Sequence, residues 1–292
     1  MPARNRPSWN RFVRPPARRL RDNQVFGGRS DVLNPPSSLA ELRAYYDSLY
    51  EKTGGKWFDF EAIIQRAYEA LLKPGDIAID GGAHLGAHTI PMARKVAPEG
   101  KVYAFEPIHE LVKRLRERIR SECPELTGVI RIHEIAISDH GGIDEFLVAA
   151  DPAYSGLRER VYPHEMPLDR RKVLVDTLDN FIPFSPVRFI KLDLEGGEFH
   201  ALKGARNLLK RERPAIVFEY DRFNTPRFYN YEHAELLDFW DSLNYQILDI
   251  IGTPFDQPEL WQAATLWYYF ALPREADLAG TIQSAARACI PL

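Results

Sequence analysis

The chain has 292 residues, 45% hydrophobic and 27% charged, with a net charge of −3, enough for a buried core in one large α/β domain or two small ones. No stretch approaches the roughly 18 consecutive apolar residues of a membrane span, and no apolar signal segment follows Met1, so a soluble, cytoplasmic chain is expected. Cys123 and Cys289, the two cysteines, stand far apart and outside any CxxC or Cys/His cluster, which argues against a disulfide framework and a zinc site.

Charge is unevenly spread. Residues 1–31 hold eight arginines against Asp22 and Asp31, a balance of +6 that leaves −9 for the rest. With Pro2, Pro7, Pro15 and Pro16, this stretch has the composition of a basic, flexible tail over 1–36. Helices are expected over 39–50, after the capping Ser37 and Ser38, and over 60–72, where Ile63, Ile64, Ala67, Ala70 and Leu71 share one face; together they form an N-terminal helical extension, 37–74. Pro74-Gly75 ends it.

From residue 75 to 292 one domain is expected, built from alternating strands and helices. A strand over 77–80 leads to a helix over 86–96, and a strand over 102–105 to a helix over 108–119. Short β-like runs follow at 129–138, 143–148 and 173–175. A strand over 187–193 then feeds a helix over 198–211, and "PAIVFEY" forms the next strand, ending at Glu219. A helix over 233–243 precedes closing strands at 246–250 and 265–270. Alternation of this kind predicts a mainly parallel sheet.

"AIDGGAHLGAHTI", residues 78–90, passes from a strand into a glycine-rich turn with Asp80 just before it. Glycines let a ligand approach the backbone closely, and the next helix start offers free N–H groups. A carboxylate at Asp80 repels a pyrophosphate and attracts an ammonium, which favours S-adenosylmethionine over NAD. Gly81, Ala83 and Gly86 nevertheless fit a degraded G-x-A-x-x-G fingerprint with Glu106 20 residues further on, so an NAD-dependent oxidoreductase stays open at this point, as does a non-catalytic module that keeps the cofactor fold for binding. "VYAFEP" is a buried-strand pattern ending in Glu106, an acid placed to bind both hydroxyls of a ribose.

In "RFIKLDLEGGEFHALKGARNLLKRERPAIVFEY" the charges Lys191, Asp193, Glu195 and Glu198 interrupt a strand-to-helix transition, and the carboxyl end of such a strand faces the ligand crevice. Asp193 and Glu195 are the catalytic candidates, able to accept a proton from a hydroxyl or to aim it at an electrophilic methyl group. Asp193, Glu195 and Glu219 offer oxygen ligands suited to Mg²⁺, but their spacing does not define a metal site, and none is assigned. His84 sits in the cofactor turn, whereas His88 and His200 lack a geometric reason to act. Two aromatic or polar loops, 151–166 and 221–233, are candidates for closing over an acceptor.

"AIDGGAHLGAHTI", "VYAFEP", "EIAISD", "VDTLDNFI" and "FIKLDLEGGEFHALKGARNLL…RPAIVFEY" resemble the successive motifs of the FkbM family of S-adenosylmethionine-dependent methyltransferases, over about residues 75–245. The resemblance implies a class I methyltransferase (Rossmann-like) fold, with a seven-stranded, mainly parallel sheet whose last strand is antiparallel and helices on both faces. It implies O-methylation of a sugar, glycan or natural-product hydroxyl. By that likeness Asp80, Gly82 and Gly86 hold the methionine part of the cofactor, Glu106 its ribose, and Glu134 to Ala136 the region around adenine. His84 replaces the asparagine usual after Gly-Ala, and Ala87 and His88 replace a nearby aromatic. Partners are then a small-molecule or glycan acceptor and, compatibly, a second copy of the chain. Nucleic acid is disfavoured by the acidic body and the lack of an Asn/Asp-Pro-Pro-Tyr block.

Overall fold

A computed structural model describes residues 38–55, 58–162, 164–181, 186–221, 225–255 and 266–290. The basic N-terminal segment, and Thr265 at the start of one expected strand, lie outside the described residues. Among the described residues, no helix is long and apolar enough to cross a membrane.

Two helices come first. In α1 (Leu39–Lys52) the Ser38 hydroxyl accepts the Glu41 N–H at 3.3 Å, and in α2 (Phe60–Leu71) the Asp59 carboxylate accepts that of Ala62 at 3.2 Å, so each first turn is capped by a side chain. The buried stripe of α2 is Phe60, Ile63, Ile64, Ala67, Tyr68 and Leu71. Ala70, expected on that face, is exposed, because Tyr68, four residues after Ile64, takes the inward slot.

The chain then alternates through β1 (Ile77–Gly81), α3 (Thr89–Val96), β2 (Lys101–Phe105), α4 (His109–Glu122) and β3 (Ile130–His133). Helix α3 begins three residues later than expected because Gly86, at φ +78°, has a left-handed backbone that no α-helix contains. The expected run over 129–138 splits after β3 into β4 (Ala136–Ile137), which joins a second sheet with β5 (Gly142–Ala149) and β6 (Leu168–Asp176) in the order β4-β6-β5. β6 is far longer than the expected 173–175. Its first half, "LDRRK", is charged, and antiparallel pairing with β5 rather than burial makes it a strand.

After β7 (Val187–Leu192) the expected single helix is broken into α5 (Glu198–Lys203) and α6 (Arg206–Glu212). The break falls at Gly204, where a Cβ would lie 2.0 Å from the Ser138 carbonyl oxygen, so this backbone packs directly on the end of β4. The remaining elements are β8 (Ala215–Glu219), α7 (Thr225–Tyr229), α8 (His233–Ser242), β9 (Tyr245–Asp249), β10 (Tyr268–Pro273) and α9 (Ala279–Arg287). α7 and α9 were not expected from the sequence.

The main sheet has seven strands in the order β3-β2-β1-β7-β8-β10-β9. β1, β2, β3, β7 and β8 pair in parallel, and β10 runs antiparallel to both β8 and β9, as expected for the last strand. Helices lie on both faces of this class I methyltransferase fold. Phe189, Ile190, Phe218 and Phe270, at 0% exposure, fill its centre. Chain order reverses between β1 and β7, where Asp80 pairs with Lys191 and Gly81 with Leu192. Connections leave that point in opposite directions, which opens a crevice beyond the strands' carboxyl ends.

Candidate active site

A cleft of about 840 Å³ occupies that crevice. Its floor is the turn after β1. Gly82 has φ +78°, and a Cβ there would lie 1.9 Å from the Asp193 carbonyl oxygen, so two strand ends meet where only glycine fits. Asp80 is 1% exposed and lines the cleft; one of its oxygens accepts the Thr89 hydroxyl at 2.5 Å, and the other, Oδ1, has no hydrogen-bond partner among the described residues. A buried carboxylate oxygen left unpaired suits a charged donor supplied by a ligand.

Glu106 stands at the end of β2. It is 4% exposed and accepts N–H groups from Ile108 and His84, each at 2.9 Å. Burial raises its pKa to about 7 against the pull of these two bonds. His84, at φ +48°, thus ties the β1 turn to the β2 acid through its backbone. Burial lowers the His84 imidazole, which also faces the cleft.

The sequence-derived cofactor set divides here. Asp80, Gly82, His84, Glu106 and Ala136 line the cleft, whereas Gly86 and Glu134 do not. Gly86 serves packing: a Cβ on it would come 2.5 Å from a Leu115 methyl. The Glu134 carboxylate turns outward to His109 Nδ1 at 2.8 Å and Arg116 at 3.8 Å, because the strand break between β3 and β4 lies there.

Across the cleft, Lys191 is 2% exposed and its ammonium donates to Asp193 Oδ2 at 3.1 Å. Burial works against its charge, but the carboxylates of Asp193, Asp80 and Glu61 hold it above the ordinary lysine range. Burial likewise opposes ionisation of Asp193, and Lys191 overcomes it, so Asp193 is held below the ordinary carboxylate value. Glu195, on a left-handed turn at φ +55°, is ion-paired with Arg160 from the loop before β6. Glu219, at the end of β8, is raised by burial and by the neighbouring Asp193 and Glu198.

One carboxylate oxygen from each of Asp193, Glu195 and Glu219 lies within 4.8 Å of the others. The spacing is compatible with a hard cation, though Lys191 and Arg160 already neutralise two of the three. Glu198 acts on the backbone instead. At 2% exposure it accepts the N–H groups of Leu194 at 2.6 Å and Gly196 at 3.3 Å and so clamps the 194–197 turn.

Sequence reasoning missed Glu61 and Tyr268. The Tyr268 hydroxyl lies 3.3 Å from Glu61 Oε1 and 3.1 Å from Asp193 Oδ2, with a single proton to share between them. Glu61 is also bonded to His88, whose other ring nitrogen is 3.3 Å from the Tyr68 hydroxyl. His88 therefore lines the cleft as a holder of Glu61, with both nitrogens engaged. No local signal joins positions 61, 193 and 268. His200 is turned away, toward the Tyr229 carbonyl at 3.1 Å.

The methyltransferase FkbM domain matches residues 80–247, more than half of the chain. Curated proteins match over shorter stretches. The ribosomal RNA small subunit methyltransferase H of Desulfotalea psychrophila is 42% identical over 70 residues, 24% of either protein. The protein-L-isoaspartate O-methyltransferase of Ignicoccus hospitalis is 37% identical over 87 residues, 30% of this chain and 41% of that protein. The chain thus spans well under half the length of these relatives. Among solved structures, the methyltransferase FkbM from Methylobacillus flagellatus aligns with a TM-score of 0.40 and 17% identity, over 80% of this chain and 60% of that one. On the domain match, with Asp80, Glu106 and Asp193 gathered at the ends of their strands, the chain belongs to the FkbM family of S-adenosylmethionine-dependent methyltransferases.

Proposed function

We propose that the protein methylates a hydroxyl oxygen of a sugar, glycan or natural-product acceptor. The observation that carries this is the convergence of Asp193, Glu195 and Glu219 within 4.8 Å in the cleft that Asp80 and Glu106 also line. When bound, S-adenosylmethionine supplies a methyl group already activated on a sulfonium, so the protein contributes chiefly through alignment.

Asp80, through its unpaired Oδ1, is the acceptor for the ammonium of the methionine part. Glu106 keeps a free lone pair on each oxygen beyond those taken by Ile108 and His84, which suits the two ribose hydroxyls. Ala136, with Ile135, Ile137 and Phe105, gives an apolar wall for the adenine. Asp193, ionised because of Lys191, accepts the acceptor's hydroxyl proton in a hydrogen bond and aims the oxygen, and Glu195 is the second carboxylate beside it.

The test is calorimetry with S-adenosylhomocysteine and with NAD, on the wild type and on Asp80→Asn and Glu106→Ala, followed by transfer of labelled methyl to hydroxyl acceptors with Asp193→Asn as control. Binding of S-adenosylhomocysteine that both cofactor-site changes weaken, and transfer lost in Asp193→Asn, is the expected result. A protein that binds NAD and not S-adenosylhomocysteine sinks the proposal.

A further inference from the structure

The proposed cofactor contacts take up one end of the cleft. In the order of the sheet, its lining runs from Glu106 at the end of β2, past Asp80 of β1 and Asp193 after β7, to Glu219 of β8 and Tyr268 of β10. With ribose and adenine at the β2 end, the β10 end is left for the acceptor. Two places supply the wall there: Phe60 and Glu61 from the first turn of α2, and Trp267 and Tyr268 where β10 begins. Both lie outside residues 80–247, the stretch that the FkbM domain matches, whereas Asp80, Glu106, Ala136 and Asp193 lie inside it. A cleft of about 840 Å³ stands near the top of the range of about 300–1,000 Å³ for ligand pockets, which leaves room for an acceptor beside the cofactor.

This wall has an aromatic part and a charged part. Phe60 and Trp267 meet edge to face, with ring centroids 4.6 Å apart and planes at 80°, so the half-buried indole is fixed in place. Beside it, 56% of the Glu61 side chain is exposed, although its Oε2 is bonded to His88 and its Oε1 lies 3.3 Å from the Tyr268 hydroxyl. Each oxygen keeps a further lone pair. Desolvation works against ionisation of Glu61, but the hydrogen bond from His88 outweighs it and holds the carboxyl below its ordinary value. The same Tyr268 hydroxyl lies 3.1 Å from Asp193, so one phenol oxygen spans both carboxylates. Two acceptors for hydroxyl protons therefore stand side by side against a fixed aromatic surface.

We infer that the wall built by α2 and β10 is the acceptor subsite, and that it selects a sugar ring without acidic groups, one hydroxyl held by Glu61 while a neighbouring hydroxyl is presented to Asp193. The inference rests on the methyl-transfer proposal and narrows its acceptor. A pyranose lays a face of C–H groups on the Trp267 ring, whose π-face is the negative end of its quadrupole, and sends hydroxyl donors out from its rim toward the carboxylates. An alcohol with a single hydroxyl reaches Asp193 but gives Glu61 no donor, so it forgoes one charge-assisted hydrogen bond. An acceptor carrying phosphate or carboxylate would bring like charge to Glu61 and Asp193. Acceptor choice then resides in the segments flanking the family domain, and cofactor binding within it.

The test is calorimetry on the full chain saturated with S-adenosylhomocysteine, titrated separately with the methyl glycosides of glucose, galactose, mannose and rhamnose, and with cyclohexanol and phenol as single-hydroxyl probes. At least one glycoside should bind, about tenfold more tightly than either single-hydroxyl probe, as one further charge-assisted contact provides. Glu61→Gln should remove that advantage and Trp267→Ala should weaken the glycoside further, while affinity for S-adenosylhomocysteine stays unchanged, a readout that a wall of purely structural importance would not spare. Thermal melting checks that each variant is folded, and the comparison of probes on the wild type stands without them. Binding of no glycoside, binding no tighter than that of cyclohexanol or phenol, a glycoside held as tightly by either variant as by the wild type, or variants that lose S-adenosylhomocysteine in step with the glycoside would overturn the inference while leaving the cofactor assignment intact. Failure of S-adenosylhomocysteine to bind the wild type would instead overturn the methyl-transfer proposal and this inference with it.

Discussion

Glu106 gives two pH effects of opposite sign from one ionisation. Its carboxyl is 4% exposed and raised by burial from 4.5 to about 7. If the ribose hydroxyls donate only to the ionised form, apparent affinity scales with the ionised fraction, and S-adenosylhomocysteine binds about tenfold more tightly near pH 8 than near pH 6. Stability of the ligand-free protein moves the other way. Below the unfolded value both states are protonated; as the pH rises toward about 7 the unfolded chain loses its proton while the folded one retains it, so stability falls, by about 3 kcal/mol at most. Titration calorimetry across this range measures the first effect. Urea unfolding at each pH, taken as the difference between wild type and Glu106→Gln, isolates the second. The variant should bind weakly and without the pH slope. A slope of equal size in Glu106→Gln, or a wild-type affinity flat from pH 6 to 8, refutes the assignment of ribose binding to this carboxyl.

Gly82→Ala places a methyl 1.9 Å from the Asp193 carbonyl on a backbone at φ +78° and should cost about 2 kcal/mol or more with loss of cofactor binding, whereas Gly128→Ala, with nothing within 4 Å, should be close to neutral in the same denaturation assay. Tyr46→Phe removes a 2.7 Å hydrogen bond from Asp249, a carboxylate at 0% exposure that anchors α1 to β9, and should shift the urea midpoint by an amount equivalent to about 1 to 3 kcal/mol; a change below about 0.5 kcal/mol would show the bond to be dispensable. Tyr268→Phe withdraws the hydroxyl shared by Glu61 and Asp193, so turnover should fall about tenfold with S-adenosylhomocysteine affinity unchanged; unaltered turnover would mean that Asp193 needs no such support.

Much of the architecture was legible because its signals are local. The apolar runs of β1, β2, β7 and β8, the capping residue Ser38, and the turn at Pro74-Gly75 each report on a few neighbouring residues. Strand-end acids are legible for the same reason: Asp80, Glu106 and Asp193 stand out because an apolar pattern stops at them. The second sheet was hidden, since β6 is charged and becomes a strand only through pairing with β5. Gly204 gives no sign in sequence that a helix must break there against the end of β4.

The sequence by itself determined the alternation of elements, the glycine-rich turn after β1, and the acids that end the strands, because propensity and period act over short distances. Tertiary structure alone decided which of those acids face one another. It turned Glu134 outward, made Gly86 a packing residue, and brought Tyr268 from β10 between Asp193 and Glu61 of α2. Pairing across 75 and 207 residues is set by how the sheet is ordered and how helices cover it, and no local pattern carries that information.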